Sequence, residues 1–165
     1  MYRRIVVPLD GSGLAEVALP QASELARLTG APVHLLRVVD FTRLERYGPY
    51  ALALEYAAAE PVLTDERAEA KAYLQDVQAQ LDGEGLRADA EIRQGRVARE
   101  IVAALKPGDL VVIASHGRGG LSRWLLGSVA EDVVRHAAVP VLLVKTDPVT
   151  DTTVAPRATA VVTAN

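Results

Sequence analysis

The chain has 165 residues, with 18 Lys and Arg against 21 Asp and Glu, a formal net charge of −3 and no Cys. That length suits one domain able to bury a core without staples, and the missing thiols exclude disulfides, Cys-based zinc or iron–sulfur sites and a Cys nucleophile. The acidic balance argues against a nucleic-acid partner, and the longest apolar run, Ala137–Val144 with Pro140 inside it, falls far short of the roughly 20 residues of a membrane span.

The opening MYRRIVVPLDG meets Pro8 and Asp10 before the apolar core of a secretion signal could form, which points to the cytoplasm. Arg4–Leu9 reads as the first strand. Ser12 then caps a helix over Gly13–Leu28, with Leu14, Val17, Ala18, Leu25 and Leu28 as its apolar stripe and Pro20 bending it. Val33–Val39 is the second strand. A long connection follows from Asp40 to about Leu63, in which the Ala-rich 51–59 can form a short helix. Thr64-Asp65-Glu66 starts the next helix, which runs through Ala72, Val77 and Leu81 to Gly83. Arg87–Gln94 alternates like a strand near an edge, with Ala88, Ala90 and Ile92 facing inward. Val97–Leu105 is a short helix stopped by Pro107-Gly108. Leu110–Ala114 is a strand, Ser128–His136 the last helix and Val141–Val144 the last strand.

The central runs are nearly continuous in Val, Ile and Leu, the pattern of strands buried on both faces. The β-α alternation therefore predicts an α/β fold, an open doubly wound sheet of five parallel strands over residues 1–145. Residues 146–165 form an arm. Within it, 159–163 can add a strand to this sheet or to a partner's. Val141–Val144 is apolar on both faces and is expected at a sheet edge, which invites pairing with a second copy.

In such a sheet, ligands bind beyond the carboxyl ends of the strands. Two ends carry unusual residues here. One reads Pro8-Leu9-Asp10-Gly11-Ser12. The other reads Ala114-Ser115-His116-Gly117-Arg118-Gly119-Gly120 and leads to Gly127-Ser128 at a helix start. Glycines let backbone N–H groups approach an anion, and a helix N-terminus favours negative charge. Ser128 and Arg118 can add a hydroxyl and a charge, with Asp10 set to meet a ribose or a metal ion. Each feature also has a plainer reading: the glycines as a turn, Gly127-Ser128 as a cap, and Asp10 or Ser12 as the cap of the first helix.

Other chemistries fit less well. A receiver domain needs an Asp ending the third strand, where Arg93-Gln94-Gly95 stands. The Gly-Ser of LeuGlySerValAla lacks the second glycine of a nucleophile elbow, and adjacent Ser115 and His116 point apart in an extended chain. His34, His116 and His136 have no metal-ligand spacing. No phosphate-binding loop of the G-x4-G-K-[ST] type occurs.

The stretch Ile113–Lys145, IASHGRGGLSRWLLGSVAEDVVRHAAVPVLLVK, together with IVVPLDGSGLAEVALPQASELA near the start, resembles the universal stress protein family. The family's motif G-x2-G-x9-G followed by Ser or Thr aligns with Gly117, Gly127 and Ser128, and Ala114 stands at its first position. The resemblance covers residues 2–145. It implies a Rossmann-like fold of the adenine nucleotide alpha hydrolase type with strand order 3-2-1-4-5. It also implies ATP, or AMP or ADP, lying between the first and fourth strands. Asp10 would meet the ribose or a phosphate-bound Mg²⁺, and the Val38 backbone would meet the adenine edge beside Pro8 and Leu9. Ser115, His116, Gly117 and Arg118 would line the phosphate path, and the amides of Gly127, Ser128 and Val129 would hold the phosphates. The family further implies an antiparallel homodimer through Val141–Val144; the arm can be exchanged between the two copies or laid over their interface. With no evident base poised on water, ATP hydrolysis is expected to be slow at most. The other reading is a nucleotide-independent dimeric scaffold of the same fold.

Overall fold

Strands without a polar face need cover on both sides, and the apolar runs obtain it by pairing side by side between two helical layers. The structure is a computed structural model. It describes residues 1–40, 48–116, 127–146 and 158–161, and side chains for all of these except 48–64, 116, 146 and 158–161. The strands are β1 (Arg4–Leu9), β2 (Val33–Val39), β3 (Ala88–Gln94), β4 (Asp109–His116), β5 (Val141–Thr146) and β6 (Ala158–Val161). Their order is β3-β2-β1-β4-β5-β6. The first five are mutually parallel, as the alternation of elements predicted.

The expectation that β5 is an edge is corrected. β6 of the same chain pairs antiparallel with it, from Val141↔Val161 to Val144↔Ala158. An apolar strand with open N–H and C=O groups gains by covering them, and the arm supplies the cover.

Helices α1 (Gly13–Glu16), α2 (Ala18–Thr29) and α3 (Gly48–Gly83) follow in chain order, then α4 (Val97–Ala104) and α5 (Ser128–His136). α2 and α3 cover one sheet face, burying Ala22, Ala26, Leu74 and Leu81 against Ile5, Val7, Leu35 and Val112. α4 and α5 cover the other, with Ile101, Ala104, Ala130 and Val133 against Val6, Leu36, Val111 and Leu143. Alternate residues of β1 and β4 thus serve opposite cores. Each large apolar side chain so buried contributes roughly 1.5–3 kcal/mol.

Three local expectations change. The helix after β1 breaks at Val17, before Pro20, because a proline clashes with the carbonyl four residues back, here Glu16. Pro20 then falls in the first turn of α2, where its missing N–H costs nothing. α3 begins at Gly48 rather than Thr64, so much of the supposed connection is helix, in keeping with the high helix propensity of its alanines. In β3, Ala88 and Ile92 pack on the core while Ala90 is exposed. No helix among the described residues is long and apolar enough to cross a membrane.

The two central strands are joined by a short ladder. β1 and β4 pair in register from Arg4↔Asp109 to Val6↔Val111. β1 stays paired with β2 as far as Leu9↔Arg37, and β4 with β5 as far as His116↔Thr146. The first rung carries a fork-shaped ion pair. Arg4 donates through Nε to Asp109 Oδ1 at 3.0 Å and through Nη2 to Oδ2 at 2.7 Å. Nη2 also reaches the Ala104 carbonyl, and the Lys106 N–H donates to Oδ2. Asp109 is 2 % exposed. Burial alone would raise its pKa, but the Arg4 hydrogen bonds, the Lys106 N–H and the Arg4 charge outweigh it and hold the carboxyl below its ordinary value.

Asp109→Asn leaves the Arg4 guanidinium without its counter-charge and should cost about 3 kcal/mol in urea unfolding. Because the folded pKa is the lower one, the stabilisation is present above the unfolded carboxylate range and is lost as pH falls through the folded value. The wild type should therefore lose stability below about pH 4, with a shallower acid limb in Asp109→Asn. Parallel acid limbs would contradict this assignment.

Candidate functional site

Beyond Val6 and Val111 the ladder between β1 and β4 ends, and a cavity of about 860 Å³ lies over their carboxyl ends. β1 delivers Pro8, Leu9 and Asp10 to its wall, β2 delivers Val38, β4 delivers Ala114, and α5 delivers Gly127, Ser128 and Val129. These eight residues, singled out by sequence at four separate places in the chain, line one space.

Ser115 does not line it. It is 2 % exposed within β4 and pairs in register with Lys145, since β4 runs two residues further than the apolar run suggested. His116 ends β4; its side chain, Gly117 and Arg118 lie outside the described residues.

Asp10 does not cap α1 directly. Ser12 is the cap, its Oγ accepting from the Ala15 N–H at 3.2 Å. Asp10 Oδ1 in turn accepts from the Ser12 N–H at 2.9 Å and from its hydroxyl. This fixes the carboxylate by one oxygen. Gly11 makes the turn possible with φ +81°, a left-handed conformation open mainly to glycine.

At α5 the first intrahelical bond is Glu131 N–H to the Gly127 carbonyl, at 2.9 Å. The amides of Ser128, Val129 and Ala130 therefore have no acceptor inside the helix, and the cap residue Gly127 has no side chain to supply one. Ala114 sits in extended strand, where its methyl carries no backbone strain.

The cavity has two halves, on opposite faces of the sheet. Toward α4 and α5 it is an apolar slot between Val38, Val97, Ile101, Ile113 and Ala130. Toward α1 and α3 it is polar, with Arg37, Glu66, Glu69 and Tyr73 beside Leu14 and Ala15. Tyr73 donates to Glu16 Oε1 at 3.0 Å, tying α3 to α1. Burial, then that hydrogen bond and the Glu16 charge, raise the phenol's pKa well above its ordinary value.

Sequence reasoning missed this second half. The signals were the 66, 69, 73 spacing, which shares one helix face, and Arg37 as the charge inside VHLLRVV. His34 in β2 is buried between Asp89 at 3.0 Å and Glu91 at 3.2 Å. Among the described residues no group of three His, Asp or Glu side chains is set to hold a metal.

The sequence profile of the Universal stress protein family matches residues 1–145. A universal stress protein of Methanocaldococcus jannaschii is 37% identical over 150 residues, 88% of this chain and 83% of its own length. The solved structure of a second universal stress protein from that organism superposes with a TM-score of 0.73 at 29% identity, over 90% of this chain and 99% of that one. Another universal stress protein, solved in complex with cAMP, shares the fold at a TM-score of 0.61 and 21% identity, over 88% of this chain and 98% of that one.

Gly11→Ala forces a side chain into a left-handed turn and should destabilise the protein by about 1 kcal/mol. Gly13→Ala, with no atom within 4 Å of its new Cβ, should be neutral or stabilising. Equal urea midpoints for the two variants would contradict the strained turn.

Proposed function

The chain belongs to the universal stress protein family, and on that footing we propose that its cavity binds ATP or a related adenine nucleotide. In this reading it is a cytoplasmic stress-response protein that works through nucleotide-dependent interactions rather than fast catalysis. The observation that carries the reading is the meeting, in one cavity, of three unlike features. These are an apolar slot, a fixed carboxylate at Asp10, and the amides at the start of α5 that have no acceptor inside the helix.

Each feature matches one part of such a ligand. The slot beside Val38, Val97 and Ile101 suits a flat base, whose hydrogen-bonding edge meets the Val38 backbone. Asp10, held through one oxygen by Ser12, keeps the other for a ribose hydroxyl or for the water shell of a phosphate-bound Mg²⁺. The amides of Ser128 and Val129 offer donors and the positive end of a helix dipole to phosphates. Bound magnesium would supply charge neutralisation of the phosphates. Ala114 at the first motif position adds only a methyl to the wall. Gly117, Arg118 and the His116 side chain complete the phosphate path in the family pattern.

Calorimetry of the full chain with Mg-ATP, ADP, AMP and cAMP tests this directly. Saturable heat is expected for at least one. Gly127→Asp, which sets a negative charge at the amide cluster, and Asp10→Ala should each weaken it at least about tenfold. Folded protein giving no heat with any of the four would favour the nucleotide-independent scaffold.

We further propose a homodimer in which β6 is exchanged between the two copies, each β6 covering the β5 of the other copy. The support is a four-residue strand of the arm that pairs along β5. Light scattering should give twice the 17.6 kDa chain mass, falling toward the monomer when residues 147–165 are deleted. A monomeric full chain would overturn this assembly.

A further inference from the structure

Arg37 stands apart from its strand. Every other residue of β2 is buried, and Arg37 sits in register with Leu9 of β1 and Ile92 of β3. Both neighbours pack on the α2 and α3 side of the sheet, so the guanidinium stands on that side too, at the polar half of the cavity. The Gly11 backbone covers it closely: a Cβ built on Gly11 would lie 3.4 Å from Nη1.

Among the described residues, Arg37 Nε and Nη1 are shielded from water and have no hydrogen-bond partner. A guanidinium has five N–H donors and no acceptor, and buried donors are nearly always paired. Two carboxylates, Glu66 and Glu69, line the same cavity, yet neither Arg37 nitrogen pairs with them. Arg37 as a residue is only half-buried and lines the cavity.

We propose that Arg37 anchors a second subsite, in the α3 half of the cavity, that takes the oxyanion of a ligand, a carboxylate or a phosphoryl group. A planar fork of donors matches two oxygens of such a group. The subsite lies across β1 from the α5 amides, on the other face of the sheet, so it is separate from the phosphate position of the nucleotide reading. Glu66 and Glu69 make the surrounding wall negative, which restricts the subsite to a group of low charge and disfavours a polyphosphate. The two shielded donors are a cost that the protein carries at this position.

The test uses the full chain and two probes, sodium phosphate and sodium acetate, followed by calorimetry and by the Nε–H resonance of Arg37 in an NMR spectrum. At least one anion should bind saturably and shift that resonance. Arg37→Met should weaken binding about tenfold or more, and Arg37→Lys, which keeps the charge but loses the fork, should fall between. Because Arg37→Met removes unpaired buried donors, it should also melt higher than wild type in the absence of anion, which a merely structural arginine would not do.

The proposal is overturned if neither anion saturates below about 50 mM. It also fails if Arg37→Met binds as wild type does, or melts lower or does not fold. Repeating the titration with Mg-ATP present separates two sources. Retained binding marks an independent small anion; competition marks a phosphate of the nucleotide itself. The titration without nucleotide is readable even if no nucleotide binds, so the two proposals fail separately.

Discussion

The architecture turns on the short ladder between β1 and β4. Strand order reverses there, with the chain building outward to β2 and β3 on one side and to β5 on the other. The two strands are held at their amino ends by the Arg4–Asp109 fork and part after Val6↔Val111. An ion pair at one end and divergence at the other make a wedge. Its open end is where the carboxyl ends of β1, β2 and β4 and the start of α5 converge. In an open α/β sheet this reversal is the place where a ligand meets backbone ends rather than a covered face.

The cavity is electrically uneven. Among its described lining residues, Asp10, Asp40, Glu66 and Glu69 are acidic and Arg37 is cationic. The α5 end instead offers amides and a helix dipole, and the slot beside Val38 offers almost no charge. A ligand with one anionic end and one flat apolar end is oriented by that contrast, with its anionic end drawn to α5. Among the described lining residues, Arg37 is the cation that breaks this acidic wall.

Much of this was legible in the sequence, for identifiable reasons. The parallel sheet followed from runs such as RIVVPL and LVVIA, which have no polar face and so must be covered twice. Ser12 declared itself as a cap by residue type. The glycine spacing and Asp10 marked the carboxyl ends of β4 and β1, which the fold brings to one cavity. What escaped depends on partners distant in the chain. The Arg4–Asp109 fork joins two elements that become neighbours only when the strand order reverses. The α3 wall needed Glu66, Glu69 and Tyr73 to be placed opposite β2. The arm's added strand was legible in its β-prone residues, but whether it joins its own sheet or a partner's was left open. Hydropathy also ends β4 too early, because a polar residue such as Ser115 can still be buried inside a strand.

The most direct test of a nucleotide site at the parting of β1 and β4 is an amide NMR map of the full chain titrated with AMP. Shifts should concentrate at Asp10, Gly11, Val38 to Asp40 and Ser128 to Ala130, and the amides around Arg4 and Asp109 at the closed end should stay still. A folded protein whose spectrum does not respond, or responds only at the closed end, would contradict the account.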